Sequence, residues 1–261
     1  MRGIFVIIFI LGALFTGYLL GNGSSQISPR LFSHREFPIT SKKTFVVVVY
    51  SYKQSKWCET ALRSIFEQDY VPFRVVFFDD GSEDGTFEKV QSFVLANKEE
   101  ERVILIKNLE KMGPSGCLYR LSKTLTEEEI VIFLNAKDWI AHPKTLSRLN
   151  EVYQNPNIWM ALSHPILFPS YERVKQETLS NMCVSFYAAL FKQIEFEDLW
   201  QEGRFIRGKE GFLKPMLEMA NGRVRILDEP LFIANESVSR IECRDLPFHM
   251  YEALSHFPGA L

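Results

Sequence analysis

Three polar clusters close apolar runs in this chain, where buried strands would deliver them to one edge of a sheet. They are Ser51-Tyr52 after FVVVVY, Asp79-Asp80 after RVVFF, and Asn135-Ala136-Lys137-Asp138 after IVIFL. Adjacent carboxylates repel each other, so Asp79-Asp80 needs donors or a cation close by, although Asp-Gly-Ser is also ordinary turn chemistry. The sequence Asn135-Ala136-Lys137-Asp138 puts an amide, an ammonium and an acid within four residues, a set that suits an anionic ligand better than a cation. Open parallel sheets bind ligands at the carboxyl ends of their strands, where strand order reverses. A fourth apolar run, VILI, ends in Lys107-Asn108, with Lys111 in the loop that follows. Glu197-Asp198 and Glu210 are further acids in the second half; Glu210 reads first as a first-turn acid facing a helix dipole.

The elements that must position these residues follow from hydrophobic periodicity. Residues 45–50 form a continuous, β-branched run, the pattern of a strand buried on both faces. Cys58, Ala61, Leu62, Ile65 and Phe66 recur at helical spacing. Strands are predicted over 74–78, 103–106 and 130–134, with helices over roughly 86–97 and 115–124 between them. The β-α-β order requires right-handed crossovers and a doubly wound, mostly parallel sheet, an α/β fold. A helix carrying Leu146, Leu149 and Val152 leads to an apolar stretch at 158–168. Beyond it the pattern predicts helices near 184–194 and 208–220 and a strand pair over 223–234.

The chain of 261 residues divides into 1–22, a polar linker or stem at 23–43, one domain at 44–240 and a tail at 241–261. Residues 4–20 are an uncharged apolar run of about 26 Å as a helix. They predict a single-pass N-terminal membrane anchor, with a cleaved signal as the other reading and the side of the membrane undetermined. A net charge of -2 gives no electrostatic footprint for nucleic acid. Cys58, Cys117, Cys183 and Cys243 lack zinc spacing; scattered buried thiols are the simpler reading, and disulfides the other. Asn22-Gly23-Ser24 and Asn235-Glu236-Ser237 fit the glycosylation sequon.

The string VVVVYSYKQSKWCETALRSIFEQDYVPFRVVFFDDGSEDGT resembles the opening of family 2 glycosyltransferases, which have the GT-A fold. The resemblance rests on Ser51-Tyr52, Leu62, Ser64-Ile65, Gln68, Tyr70, Asp79-Asp80, Ser82 and Asp84-Gly85-Thr86, with Lys53 where the family has Asn. It continues through Asp138-Trp139 and Pro215-Met216-Leu217 and covers roughly 44–235. It implies transfer of a sugar from a nucleotide-sugar donor to an acceptor hydroxyl on a glycan, lipid or protein, with inversion. By position, Ser51, Tyr52, Asp79 and Asp80 would bind the nucleotide sugar, Tyr52 packing on the base and Asp80 accepting from it. Lys111 would be a phosphate contact, and Asn135 and Asp138 would belong to the same site.

The family's Leu-Asp-x-Asp-Asp-Trp metal motif reads Leu134-Asn135-Ala136-Lys137-Asp138-Trp139 here. A hard divalent cation, Mn or Mg, takes oxygen ligands and bridges the diphosphate. Lys137 disfavours such an ion, leaving Asp138 as the one acid for it. Two readings follow: Lys137 itself steadies the diphosphate, or the domain is a catalytically silent GT-A domain that binds a nucleotide sugar, glycan or protein partner. For an inverting transfer the general base implied by position is Glu210, with Glu197-Asp198 as a second acidic pair. A nucleotidyltransferase of similar architecture lacks support because no Gly-rich basic loop follows the first strand.

Overall fold

The run Phe45–Ser51 (β1) is buried throughout except at Tyr50, because a parallel strand pairs with it on each side. The computed structural model describes residues 37–38, 40–173, 182–206 and 208–237. Within them β1 is followed by α1 (Cys58–Phe66), β2 (Phe73–Asp80), α2 (Thr86–Asn97), β3 (Val103–Asn108), α3 (Gly113–Ser122) and β4 (Ile130–Asn135). Next come β5 (Trp139–Ile140), α4 (Thr145–Val152), β6 (Met160–Ser163), β7 (Ile166–Phe168) and β8 (Glu172–Arg173). The chain continues with β9 (Cys183–Tyr187), α5 (Ala188–Phe191), α6 (Phe196–Leu199), β10 (Trp200–Gln201) and β11 (Arg204–Phe205). It closes with α7 (Glu210–Ala220), β12 (Val224–Leu227) and β13 (Phe232–Asn235).

Seven strands form the main sheet in the order β12-β6-β9-β4-β1-β2-β3. From β1 the chain winds outward through β2 and β3, then returns to lay β4 on the other side of β1. That reversal opens a crevice at the carboxyl ends of β1 and β4, where Ser51 and Asn135 lie. A second sheet, β5-β13-β7-β8, stands beside the turn that follows β4. The core is continuous across the main sheet, from Val47 and Phe77 through Ile132 and Phe186 to Phe212.

Two expectations for the second half change. Residues 184–194 were expected to be helical, but Cys183–Tyr187 is a fully buried strand, antiparallel to both β4 and β6. Burial on both faces removes the polar alternation that would have marked it, and only Ala188–Phe191 is helical. The two strands expected over 223–234 do not pair with each other: β12 joins β6 in the main sheet and β13 joins β5 and β7 in the small one.

The membrane expectation is also corrected. No helix among the described residues is long and apolar enough to cross a membrane. The longest described helix with an apolar face, α2, has twelve residues, about 18 Å against a hydrocarbon core of about 30 Å. The run at 4–20 lies outside the described residues, as do the 241–261 tail and Cys243. The anchor, the single-pass placement and the membrane as a partner are therefore not carried forward. Cys58, Cys117 and Cys183 are free and buried; burial pushes the Cys183 thiol up to about 12.

The helices are tied to the sheet by polar residues as well as by packing. Gln68, just after α1, is nearly buried. Its amide nitrogen donates to Ser64 O (3.0 Å) and His142 O (2.9 Å), and its oxygen accepts from Leu146 N at 3.1 Å. It thereby fixes the start of α4, and with it the strand β5, against α1. Gln68→Leu keeps the volume but removes the side-chain partner of three backbone groups, and should cost about 2 kcal/mol, read as a lowered denaturant midpoint with unchanged slope.

Candidate active site

The loop after β1 is shaped by the turn after β2. Lys53 adopts a left-handed backbone (φ 55°), and its N–H donates to Ser82 Oγ at 2.8 Å. Gln54 N donates to Thr86 Oγ1 (3.2 Å) and Ser55 N to Asp84 Oδ2 (3.1 Å). Asp84 Oδ1 also accepts from Thr86 N and Oγ1, at 3.2 and 2.5 Å. Partial burial would raise its carboxyl, but these bonds to the ionised form win and hold it below the ordinary value. The Ser-x-Asp-Gly-Thr signature thus acts at a distance: it folds the loop that presents Tyr52.

Asp79 and Asp80, adjacent in β2, point to opposite faces. Asp80 is fully buried and accepts from four N–H and O–H donors of the chain, with the Cys117 thiol at 3.8 Å from Oδ1 as a weaker fifth. Tyr50 Oη (2.9 Å) and Gly113 N (2.8 Å) reach Oδ2, while Asn108 Nδ2 (2.7 Å) and Met112 N (2.9 Å) reach Oδ1. A carboxylate has about four lone-pair sites, so this one is saturated from within. Two of its donors are the backbone N–H groups that open α3, a favourable place for an anion. The same loop brings Lys111 Nζ to 3.7 Å from the Tyr52 ring centroid. Both residues expected to hold a nucleoside are therefore touched by the segment 109–113.

Asp79 is the opposite case. Its two oxygens are buried and make no hydrogen bond of ordinary geometry, as is true of the Oγ of its cross-strand neighbour Ser51, although Ser82 and the Lys107 ammonium lie close enough to favour the charged form. Burial pushes the Asp79 carboxyl above its ordinary value.

The turn Asn135–Asp138 sits at the mouth of the crevice, held to β1 by Ala136 N donating to Tyr50 O at 2.8 Å. It is clamped to the end of the small sheet through one residue, Asn235. Lys137 Nζ donates to Asn235 O at 2.9 Å, and Asp138 Oδ1 accepts from Asn235 N at 2.8 Å. Asp138 Oδ2 faces Asn135 Nδ2 at 3.4 Å. Burial raises the Asp138 carboxyl, against the pull of the nearby Lys137 ammonium. Among the described residues no three His, Cys, Asp or Glu side chains gather to hold a metal ion. At this turn the one carboxylate already serves backbone and amide donors, and an ammonium stands beside it.

Glu210 opens α7, and its Oε1 is buried without a partner. Gly208 has φ +78°, and a Cβ there would collide with Glu210 Oε2, so glycine lets the carboxylate fold back over the loop. The start of α7 meets the start of α3 through Ser115 Oγ, which donates to Gly208 O at 3.4 Å. Lys209 donates to Met182 O and lends its charge to Asp138. Glu210, the Asp80 end of α3 and the Asn135–Asp138 turn are thus linked through neighbouring residues. Glu197 and Asp198 lie on the one-turn helix α6, Glu197 exposed.

Sequence reasoning passed over Tyr50, Asn108 and Asn235. Asn108 and Asn235 are polar residues closing apolar strands, the same signal that marked Asp79 and Asn135. Asn235 is fully buried, and its Oδ1 accepts from Ser237 N at 3.0 Å, so this sequon does not offer a glycan acceptor in the folded chain.

The sheet order and the crevice define a nucleotide-diphospho-sugar transferase fold of the GT-A type. The profile of Glycosyl transferase family 2 matches residues 46–211, a span holding every site residue above except Asn235. The chain belongs to glycosyl transferase family 2. No curated protein sequence matches it. Among solved structures, S. aureus TarS 1-349 is similar with a TM-score of 0.58 and 22% identity, over 74% of this chain and 60% of that one. TarS 1-349 in complex with UDP-GlcNAc gives 0.58 and 21%, over 74% and 58%. The mannosyltransferase PcManGT from Pyrobaculum calidifontis, in complex with GDP-Man and Mn2+, gives 0.52 and 16%, over 85% and 63%. At such identities the likeness is one of fold, and the chain spans less than two thirds of these proteins' lengths.

Burial of Asp79, which outweighs Ser82 and Lys107, yields a pH-dependent expectation. A carboxyl whose folded pKa is raised stabilises the fold fully below its unfolded value and loses that contribution as pH climbs through the folded value. Asp79→Asn should therefore be more stable than the native chain at about pH 7, the gain shrinking toward about pH 4. Denaturant midpoints across that range check it; a loss of stability at neutral pH would mean a paired, ionised Asp79.

Proposed function

We propose that the chain transfers a sugar from a nucleotide-sugar donor to an acceptor hydroxyl, with Lys137 in the electrostatic role that an ion plays in metal-dependent transferases. The observation that carries this reading is the ammonium of Lys137 at the switch point of the sheet, anchored by one of its three donors to Asn235 O at 2.9 Å. The donor's nucleoside lies toward Tyr52, Asp79 and Asp80, with Ser51 beside them, and its diphosphate lies toward Lys111, Asn135 and Lys137. Asp138 holds the turn in place and is not a ligand. TarS 1-349 with UDP-GlcNAc and PcManGT with GDP-Man are proteins of this fold that hold such donors.

In the reaction the acceptor oxygen attacks the anomeric carbon from the face opposite the diphosphate. The bond from that carbon to the phosphate oxygen breaks, and the electron pair leaves with the nucleoside diphosphate. The acceptor's proton passes to Glu210, whose buried, unpartnered Oε1 is a suitable acceptor. Negative charge grows on the leaving diphosphate as the bond breaks, and Lys137 stabilises it there. At ~4 Å and an effective dielectric near 20, one such charge contributes roughly 4 kcal/mol. At about 1.4 kcal/mol per decade that is on the order of a thousandfold in rate.

A second reading draws on Asp80. Its four internal donors leave no lone pair for a base until segment 109–113 withdraws, which suits a domain that binds a partner without turnover. Turnover separates the two readings. With a panel of nucleotide sugars, Lys137→Ala should lower kcat by about a hundredfold or more with a smaller change in donor KM. Glu210→Gln should lower transfer by roughly 10²–10⁴-fold. Saturable nucleotide binding with no release of nucleoside diphosphate from any donor would favour the silent domain.

A further inference from the structure

The core of this protein buries its aromatic rings: Trp159 is 1% exposed, and Phe77, Phe186 and Phe212 are fully covered. A different group of rings is left partly open beside the Asn135–Asp138 turn. Trp57 and Trp139 stack with centroids 6.1 Å apart and planes at 17°. Phe168 sets its edge against both, at 5.9 and 5.3 Å, and Tyr171 meets Phe168 at 5.8 Å and 89°. Trp57, Trp139 and Phe168 are half-buried, while Tyr171 is 65% exposed. Tyr171 is also held in the left-handed backbone region (φ 56°), its N–H donating to Leu167 O at 2.6 Å. A bulky residue in that region is strained, and strain of this kind collects where a side chain must be presented to a ligand.

We propose that Trp57, Trp139, Phe168 and Tyr171 form a subsite for a saccharide acceptor, which rests on the transfer reading above and names its acceptor class. Position is the first ground. Trp139 follows Asp138 directly, and Phe168 lies opposite Asn235 in the β7–β13 register, so the rings adjoin the turn that carries Lys137. A sugar lying on them has its hydroxyls beside the donor's leaving group. The rim is the second ground. Lys56 Nζ lies over the Trp57 ring, 5.0 Å from its centroid, and Glu172 is exposed next to Tyr171, so a donor and an acceptor stand at the aromatic group. Pyranose rings pair an apolar C–H face with an equatorial belt of hydroxyls and match that surface, whereas an acyl chain would call for an apolar rim.

Two of the four tryptophans of the chain lie in this subsite, which gives a direct readout. The full chain is titrated with cellotetraose, mannotetraose and chitotetraose, without nucleotide, and tryptophan emission is followed. At least one tetrasaccharide should give a saturable change. Tyr171→Ala should weaken that binding by about tenfold or more, equivalent to about 1.4 kcal/mol, and Tyr171→Phe should restore it. Trp57→Phe supplies a second variant that keeps a ring in place and alters the emission change. In transfer assays Tyr171→Ala should raise the KM for the saccharide acceptor more than it lowers kcat. Emission unmoved by all three sugars, or binding that Tyr171→Ala leaves unchanged, overturns the subsite. Saccharide binding without any transfer leaves the subsite standing and overturns the transfer reading. Transfer only to lipid or protein hydroxyls, with the same acceptor KM in Tyr171→Ala, does the reverse.

Discussion

The site depends on a clamp between two short pieces of backbone chemistry. Asn235 ends the small sheet, and both of its main-chain groups are taken by the turn after β4: the carbonyl by Lys137 and the N–H by Asp138. Opposite charges two and three residues past the end of β4 would otherwise hold each other or turn to water. Here each is bonded to a fixed dipole, so the ammonium is positioned before any ligand arrives. The clamp also joins the sheet that ends at Ser51 and Asn135 to the sheet that carries Trp139 and Phe168. The crevice at the ends of β1 and β4 and the aromatic group thereby share one reference.

Asp80 does the corresponding work at the other end of the crevice. It gathers Tyr50 from β1, Asn108 from β3 and the first amides of α3, which sets where that helix begins. A buried carboxylate with four donors has its lone pairs satisfied by the protein. Its neighbour Asp79 is pushed above its ordinary pKa by burial, which outweighs the pull of nearby Ser82 and Lys107. Two acids side by side in sequence therefore have different surroundings, because strand geometry turns them to opposite faces. Segment 109–113 is bonded to Asp80 and lies against Tyr52 through Lys111, so it joins the two residues.

Much of this was legible in the residues. The β-branched runs at 45–50 and 74–78 announced buried parallel strands, and the polar closures of those runs marked the crevice. The motif from Ser51 to Thr86 carried the fold family, and its turn residues Ser82, Asp84 and Thr86 do shape the loop behind Tyr52. What was not legible depended on long-range pairing. Cys183–Tyr187 lacks alternation because it is covered on both faces, so its place between β4 and β6 has no local signature. The partners of Lys137 and Asp138 lie about a hundred residues away at Asn235, and no spacing rule links them. Asp80 was expected to face a ligand; its saturation by Tyr50, Asn108 and α3 follows from how α3 docks, which the strand pattern alone does not determine. The apolar run at 4–20 illustrates the other limit, since hydropathy alone raised an expectation that the described helices do not bear out.

In the proposed transfer the Lys137 ammonium takes the place of a metal ion at this turn. It is tested by the initial rate of nucleoside diphosphate release by the full chain, with excess chelator and with added manganese. The rate should be the same in both conditions, with neither lag nor rescue on adding the ion. A rate abolished by chelator and restored by manganese would overturn that role for Lys137 and give it to a divalent ion.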